Sequence, residues 1–81
     1  MEIGKVTHIY GKIGVAIVEL KAELKAGDKI EIKKDDEVIA EQTVDSMQIE
    51  KKPVEKAKKG DTIGLKVEGQ VREGMIVYKV K

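Results

Sequence analysis

The chain of 81 residues contains no cysteine, phenylalanine or tryptophan, and it has one proline and one histidine. Without cysteine it cannot form a disulfide framework or a thiolate metal site. His8 has no second histidine or cysteine with which to complete a zinc site, so we expect no metal and no cofactor. A domain this small buries a modest fraction of its surface, and a single apolar core must therefore stabilise it.

Long apolar runs and a strong net charge are absent as well. No stretch approaches the roughly 18 apolar residues of a membrane-spanning helix, and the first residues lack the apolar core of a signal peptide. A net charge of +1 provides no global field to attract nucleic acid or an anionic membrane. We expect a soluble, cytoplasmic monomer without membrane contact. Charged residues make up 38% of the chain, a composition typical of thermophilic proteins.

The apolar residues that are present favour β structure. The chain contains ten valines and ten isoleucines but three leucines, and β-branched side chains pack well on a pleated sheet. Alternation and turn residues predict six strands, at 3–10, 13–18, 28–33, 38–49, 62–68 and 75–80. We expect a bulge near Gly4 or Lys5, an end to the fourth strand before Pro53, and one helical turn at 54–59. The prediction is a single all-β domain over 1–81, a six-stranded closed antiparallel barrel.

A short motif occurs twice. Lys-Ala-Gly-Asp-Lys-Ile at 25–30 returns as Lys-Lys-Gly-Asp-Thr-Ile at 58–63, and each copy leads into an alternating apolar run. Glycine tolerates a positive φ, and the aspartate carboxylate can accept hydrogen bonds from nearby backbone amides. The repeat therefore predicts the same tight turn at two strand entrances.

Several segments resemble the second domain of translational GTPases of the elongation factor Tu class. These are the Ser-Met-Gln-Ile at 46–49, the Pro-Val-Glu-Lys-Ala at 53–57 and the Gly-Asp-Thr-Ile-Gly at 60–64. The stretch 13–16 together with 24–28, and the stretch 71–75, are similar to two further parts of that barrel, so the resemblance covers nearly the whole chain. Stand-alone elongation-factor-like proteins are similar too. A related barrel ends some collagenase-like peptidase-family proteins, whose members include tRNA-modifying enzymes.

The resemblance implies a six-stranded barrel and an RNA-facing surface, without the GTPase activity. No Gly-x-x-x-x-Gly-Lys-Ser/Thr phosphate loop is present. In the family, an acidic residue and a basic residue three positions later help to hold the aminoacyl end of tRNA. Gln48 and Lys51 occupy these positions here, and Gln48 lacks the charge-assisted hydrogen bonding of a carboxylate.

The densest basic stretch is 51–59, with five lysines and one glutamate. Exposed lysines can contact phosphates and give salt-dependent binding. Both tyrosines lie elsewhere, so stacking on bases is poorly provided for, and a solvated lysine-rich loop is the simpler alternative. The candidate RNA- or partner-binding residues are Gln48, Lys51, Lys52, Lys56, Lys58, Lys59 and Arg72.

Catalysis is not expected, because nothing pairs the single serine, Ser46, with His8. The predicted function is a non-catalytic, translation-associated binding module that docks on tRNA, ribosomal RNA or a translation factor. The alternative is a protein-interaction subunit that acts in trans for a peptidase-like or tRNA-modifying enzyme.

Overall fold

A computed structural model describes residues 2–45, 47–67 and 71–80, and every regular element in these ranges is a β-strand. Ser46 and Glu68, which belong to the predicted strands at 38–49 and 62–68, lie outside the described residues. The strands are β1 (Glu2–Tyr10), β2 (Val15–Leu20), β3 (Leu24–Lys25), β4 (Lys29–Lys34), β5 (Glu37–Thr43), β6 (Met47–Ile49), β7 (Lys52–Val54), β8 (Lys56–Ala57), β9 (Thr62–Lys66) and β10 (Ile76–Val80).

Eight strands form one antiparallel sheet in the order β5-β4-β10-β1-β2-β9-β6-β7, and β3 pairs with β8 in a separate ribbon. The all-β prediction is confirmed. The closed six-stranded barrel was wrong, because no backbone ladder among the described residues joins the edge strands β5 and β7. A side-chain contact links β5 to β9 instead: Gln42 Nε2 donates to the Lys66 carbonyl at 2.6 Å.

The sheet curls around a single apolar core. Alternate residues of the long strands point inward, as in β2, where Ala16, Val18 and Leu20 are buried between exposed or half-buried neighbours. The core contains sixteen buried apolar residues, and no polar residue is buried in the described part of the chain. Because the strand period is two, the same alternation puts a second set of side chains on the outer face.

Both copies of the repeated motif form the predicted turn. In 25–28 and in 58–61 the aspartate N–H donates to the carbonyl of the lysine three residues earlier, at 3.1 and 3.0 Å. The aspartate Oδ2 accepts the N–H of that lysine, at 2.9 and 3.0 Å. The glycine φ values are 95° and 93°, as the third position of a type II turn requires.

The two turns also dock in the same way. The glycine of 25–28 donates to the Val44 carbonyl while Val44 donates back to Asp28; the glycine of 58–61 and Asp61 make the equivalent pair of bonds with Leu20. The strands that precede the turns, β3 and β8, pair with each other. The sequence repeat is therefore a structural repeat, with two equivalent turns flanking one ribbon.

The segment 38–59 differs from its prediction. Residues 38–49, predicted as one strand, contain two main-sheet strands with different neighbours, β5 against β4 and β6 against β9 and β7. The helical turn expected at 54–59 is wrong, because β7 and β8 occupy that stretch. Pro53 lies inside β7, opposite Gln48. β7 is an edge strand, where a residue without an N–H leaves no ladder bond unmade.

The start of β1 has the expected bulge. Its register against β10 shifts between Glu2 and Gly4. A Cβ on Gly4 would come within 2.8 Å of the Glu19 carbonyl oxygen, so only glycine fits this close approach. The first hairpin turn is longer than predicted, since Tyr10 pairs with Val15 and leaves Ile13 outside the strand with 67% of its surface exposed. Within the described ranges there is no helix that could span a membrane.

Candidate functional site

An apolar groove of about 590 Å³ crosses the outer face of the sheet. Its floor is a row of three residues in register on neighbouring strands: Ile17 of β2, Gly64 of β9 and Gln48 of β6. Neighbouring strands lie roughly 4.8 Å apart, so the missing side chain at Gly64 leaves a slot between Ile17 and Gln48. A Cβ there would meet Val15 Cγ1 at 3.5 Å and the Gln48 carbonyl oxygen at 3.9 Å, which are ordinary contacts.

One wall of the groove is formed by the β1–β2 hairpin. Tyr10 is 49% exposed and Ile13 is 67% exposed, and both line the groove. Neighbours hold the Tyr10 ring in place: it meets the His8 ring edge-on at 4.6 Å, and His8 Nδ1 lies 3.3 Å from Glu73 Oε2. The wall therefore offers an aromatic ring and an aliphatic side chain to solvent.

The opposite wall is the β6–β7 hairpin, whose turn residues are Glu50 and Lys51. Both have positive φ, 52° and 67°, and Ile49 pairs with Lys52 across them. These values describe a two-residue type I′ turn, for which Asn-Gly is the preferred sequence. Left-handed backbone at two residues with side chains is unfavourable, and such strain is concentrated at functional sites.

The structure brings together some of the predicted site residues. Gln48 and Lys51 line the groove. Lys52 begins β7 beside that turn. Lys58 and Lys59 belong to the turn at 58–61. The next residue, Thr62, lines the groove together with Lys51.

Lys56 and Arg72 lie elsewhere. Lys56 Nζ is 3.4 Å from Glu23 Oε2 on the β3–β8 ribbon. Arg72 precedes β10 and lines a different depression, shared with Lys33 and Lys34 near the β4–β5 hairpin. The seven predicted residues therefore do not form one continuous face.

Most ion pairs lie away from the groove. Six lysines contact carboxylates within 4 Å: Lys21, Lys25, Lys29, Lys33, Lys56 and Lys79. A hydrogen bond from Lys56 lowers the pKa of Glu23, and one from Lys29 lowers the pKa of Glu41. The hydrogen bond with Glu2 raises the pKa of Lys21. In contrast, Lys51, Lys58 and Lys59 make no ion pair with any described residue.

The described residues contain no group of three or more histidine, aspartate or glutamate side chains that could hold a metal ion. The groove presents apolar surface together with one amide, two hydroxyl groups, one carboxylate and one ammonium group. This set of groups suits non-covalent binding of a ligand with an apolar part and a polar or anionic part.

Sequence reasoning missed Tyr10, Ile13 and Gly64 as groove residues. Gly64 was the only one with a visible signal, because it puts a glycine, which is unfavourable inside a strand, at an outward position of β9. The exposure of Ile13 depends on where the β1–β2 turn begins and ends, which the nearly continuous apolar run at 13–18 conceals.

No protein-family model matches the chain. Over all 81 residues it is 47% identical to a segment of an uncharacterized protease from Methanocaldococcus jannaschii, and it spans 20% of that protein's length. The chain therefore corresponds to about a fifth of this relative.

Solved structures share the fold. The C-terminal domain of a putative U32 peptidase from Geobacillus thermoleovorans superposes with a TM-score of 0.89 over 99% of this chain and 92% of that one, at 18% identity. A bacterial selenocysteine-specific elongation factor, EF-Sec, gives a TM-score of 0.73 over 96% of this chain and 15% of that one, at 23% identity. The fold is thus common to a peptidase C-terminal domain and to part of an elongation factor.

Proposed function

We propose that the chain is a non-catalytic accessory module that binds to a U32-peptidase-like enzyme. The observation that carries this proposal is the 47% identity, over all 81 residues, with one fifth of a protease-named protein. The superposition on nearly all of a peptidase C-terminal domain supports it. In the Methanocaldococcus relative the matching segment is part of a longer polypeptide.

The experiment is reconstitution in trans. The Methanocaldococcus relative is expressed without the segment that matches this chain and is mixed with the purified 81-residue protein. We expect a 1:1 complex by size-exclusion chromatography with light scattering, with a Kd in the micromolar range (roughly −8 kcal/mol). The intact relative, whose own segment occupies the site, is the control and should not bind the chain.

The outcomes separate clearly. If the truncated relative and the chain elute independently at concentrations well above micromolar, the accessory role is wrong. If the intact relative binds the chain as well as the truncated form does, the chain is not replacing the matched segment, and the proposal also fails.

A second candidate function is translation-associated docking on tRNA, ribosomal RNA or a translation factor. The similarity of fold to EF-Sec favours it, together with the meeting of Gln48 and Lys51 in one groove. The test is an NMR titration, in which the backbone amide shifts of the labelled protein are followed as bulk tRNA is added at two salt concentrations. Salt-sensitive shifts around Gln48, Lys51 and Thr62 would support RNA docking, and their absence at low salt would exclude it.

A further inference from the structure

We propose that the outer-face groove binds an acidic peptide segment that inserts one aliphatic side chain over Gly64. This inference rests on the proposed function and names the contact through which the accessory module holds its partner. The partner segment belongs to the part of the peptidase-like enzyme outside the matched fifth.

The first argument is the apolar character of the groove. The described residues include three large apolar side chains that are strongly exposed, and two of them, Tyr10 and Ile13, form one wall of this groove. The floor adds Val15 and Ile17, which are half-buried. A contiguous exposed apolar surface costs free energy in water, which is recovered when a partner covers it.

The shape of the floor selects the size of the inserted group. Gly64 stands in register between Ile17 and Gln48, so the slot is one side chain wide and open above. Aliphatic groups surround it on the β2 side, and among the described residues Tyr10 is the only aromatic ring that lines it. Recognition of a nucleobase relies on aromatic stacking platforms, whereas this slot matches a branched aliphatic side chain of a peptide.

The second argument is charge complementarity. Lys51 lines the groove, Lys66 lies opposite Val15 on the same outer face, and Lys12 adjoins Ile13 in the hairpin turn. None of these three ammonium groups pairs with a carboxylate of the described residues. Glu50 also lines the groove, so three ammonium groups face one carboxylate there, and the rim retains positive charge that an acidic segment would neutralise.

The backbone strain at Glu50 and Lys51 is the third argument. The turn positions Lys51 at the edge of the groove, although its φ of 67° disfavours any residue with a side chain. A glycine would relieve this strain but would remove the ammonium group. Keeping a lysine in a strained position is the pattern expected when its side chain contacts a ligand.

The test uses overlapping 15-residue peptides that cover the four-fifths of the Methanocaldococcus relative outside the matched segment. Fluorescein-labelled peptides are titrated with the 81-residue protein, and binding is followed by anisotropy. We expect the binding peptides to carry an aliphatic residue flanked by aspartate or glutamate. Their affinity should fall as salt rises, because exposed charges are screened.

Matched variants locate the site. Ile13→Ser and Lys51→Glu should each weaken binding about tenfold, and Gly64→Ala should weaken it by filling the slot. Val38→Ser and Lys34→Glu are the controls, since Val38 is also an exposed apolar residue and Lys34 makes no ion pair with a described residue, and both lie on the β4–β5 hairpin. The controls should change binding by less than about twofold, and circular dichroism verifies that each variant is folded.

Three results would overturn the inference. The first is that no peptide binds; the second is that the groove variants and the controls bind alike. The third is that bulk tRNA displaces a bound peptide from the wild type and binds more tightly, which would assign the groove to RNA. If the truncated relative associates with the chain while Ile13→Ser and Lys51→Glu have no effect, the accessory function stands and only the groove assignment fails.

Discussion

At the scale of single residues, the conformation of the repeated Gly-Asp turns is set by backbone geometry. Gly60 has a φ of 93° and no atom within 4 Å of an added Cβ, so the constraint there is conformational rather than steric. Gly11 also has open space around it but lacks a positive φ. Because neither glycine is crowded, comparing them isolates the effect of the positive φ at Gly60.

Gly60→Ala should lower the free energy of unfolding by about 1–2 kcal/mol, because alanine is unfavourable at positive φ. Gly11→Ala should leave stability unchanged or raise it by about 0.5 kcal/mol, since alanine restricts the unfolded chain without strain. Urea denaturation of both variants measures the difference. Equal effects at the two positions would contradict the role assigned to the left-handed backbone.

At the scale of elements, the β6–β7 hairpin combines an unfavourable turn sequence with a place beside the groove. Replacing Glu50-Lys51 by Asn-Gly should raise the free energy of unfolding by about 1–2 kcal/mol, because Asn-Gly suits a type I′ turn. The same variant should bind the acidic peptides more weakly, since Lys51 is lost. Glu50→Gly, which keeps Lys51, is the control and should gain stability without losing affinity. A double variant no more stable than the wild type would show that the turn is not strained.

The β3–β8 ribbon combines a buried apolar pair, Leu24 and Ala57, with an exposed cluster of charges. Lys25 and Lys56 are cross-strand partners, and Glu23 contacts both, at 3.5 and 3.4 Å. Like charges opposite each other would separate the strands without this carboxylate. The hydrogen bond from Lys56 lowers the pKa of Glu23 below its ordinary value of 4.5, so the carboxylate is favoured in the folded protein.

The sign of the pH dependence follows from that lowered pKa. The stabilisation is fully present above the unfolded-state pKa and is lost as the pH falls through the lower folded-state pKa. Glu23→Gln should therefore lower the Tm near neutral pH, and its difference from the wild type should shrink below pH 4.5. Glu37→Gln, at a residue without an ion pair to the described chain, should show no such trend. Parallel Tm curves for wild type and Glu23→Gln down to acidic pH would contradict this.

Elements defined by local chemistry were predictable from the sequence, and those defined by tertiary pairing were not. The Gly-Asp turns and the bulge at Gly4 follow from residues within a few positions of each other. Pro53, in contrast, lies in a strand only because β7 is an edge strand next to Gln48, which no local pattern reveals. The groove shows the same division: Gln48 and Lys51 were identified by resemblance, while Tyr10 and Gly64 join them through strand register.

At the scale of the whole molecule, one core connects the two structural repeats. Leu65, which is buried, belongs to the strand after the second turn, and Ile32 occupies the corresponding place after the first. The radius of gyration is 11.0 Å, and the same cluster of buried side chains contains both residues. The repeats therefore share their stabilisation and should not unfold separately.

Leu65→Ala should lower the free energy of unfolding by about 2–5 kcal/mol, a large share of the total for so small a domain. Ile32→Ala should have a similar effect. Because the core is common, both variants should unfold in a single transition that is the same when followed by backbone circular dichroism and by tyrosine fluorescence. Tyr78 lies on β10 opposite Glu31, beside the strand of the first repeat. Tyr10 lies opposite Val15, near the strand of the second repeat. Tyrosine fluorescence therefore reports on both halves of the domain. A tyrosine transition that separates from the backbone transition in either variant would divide the chain into two units and contradict the single domain predicted for residues 1–81.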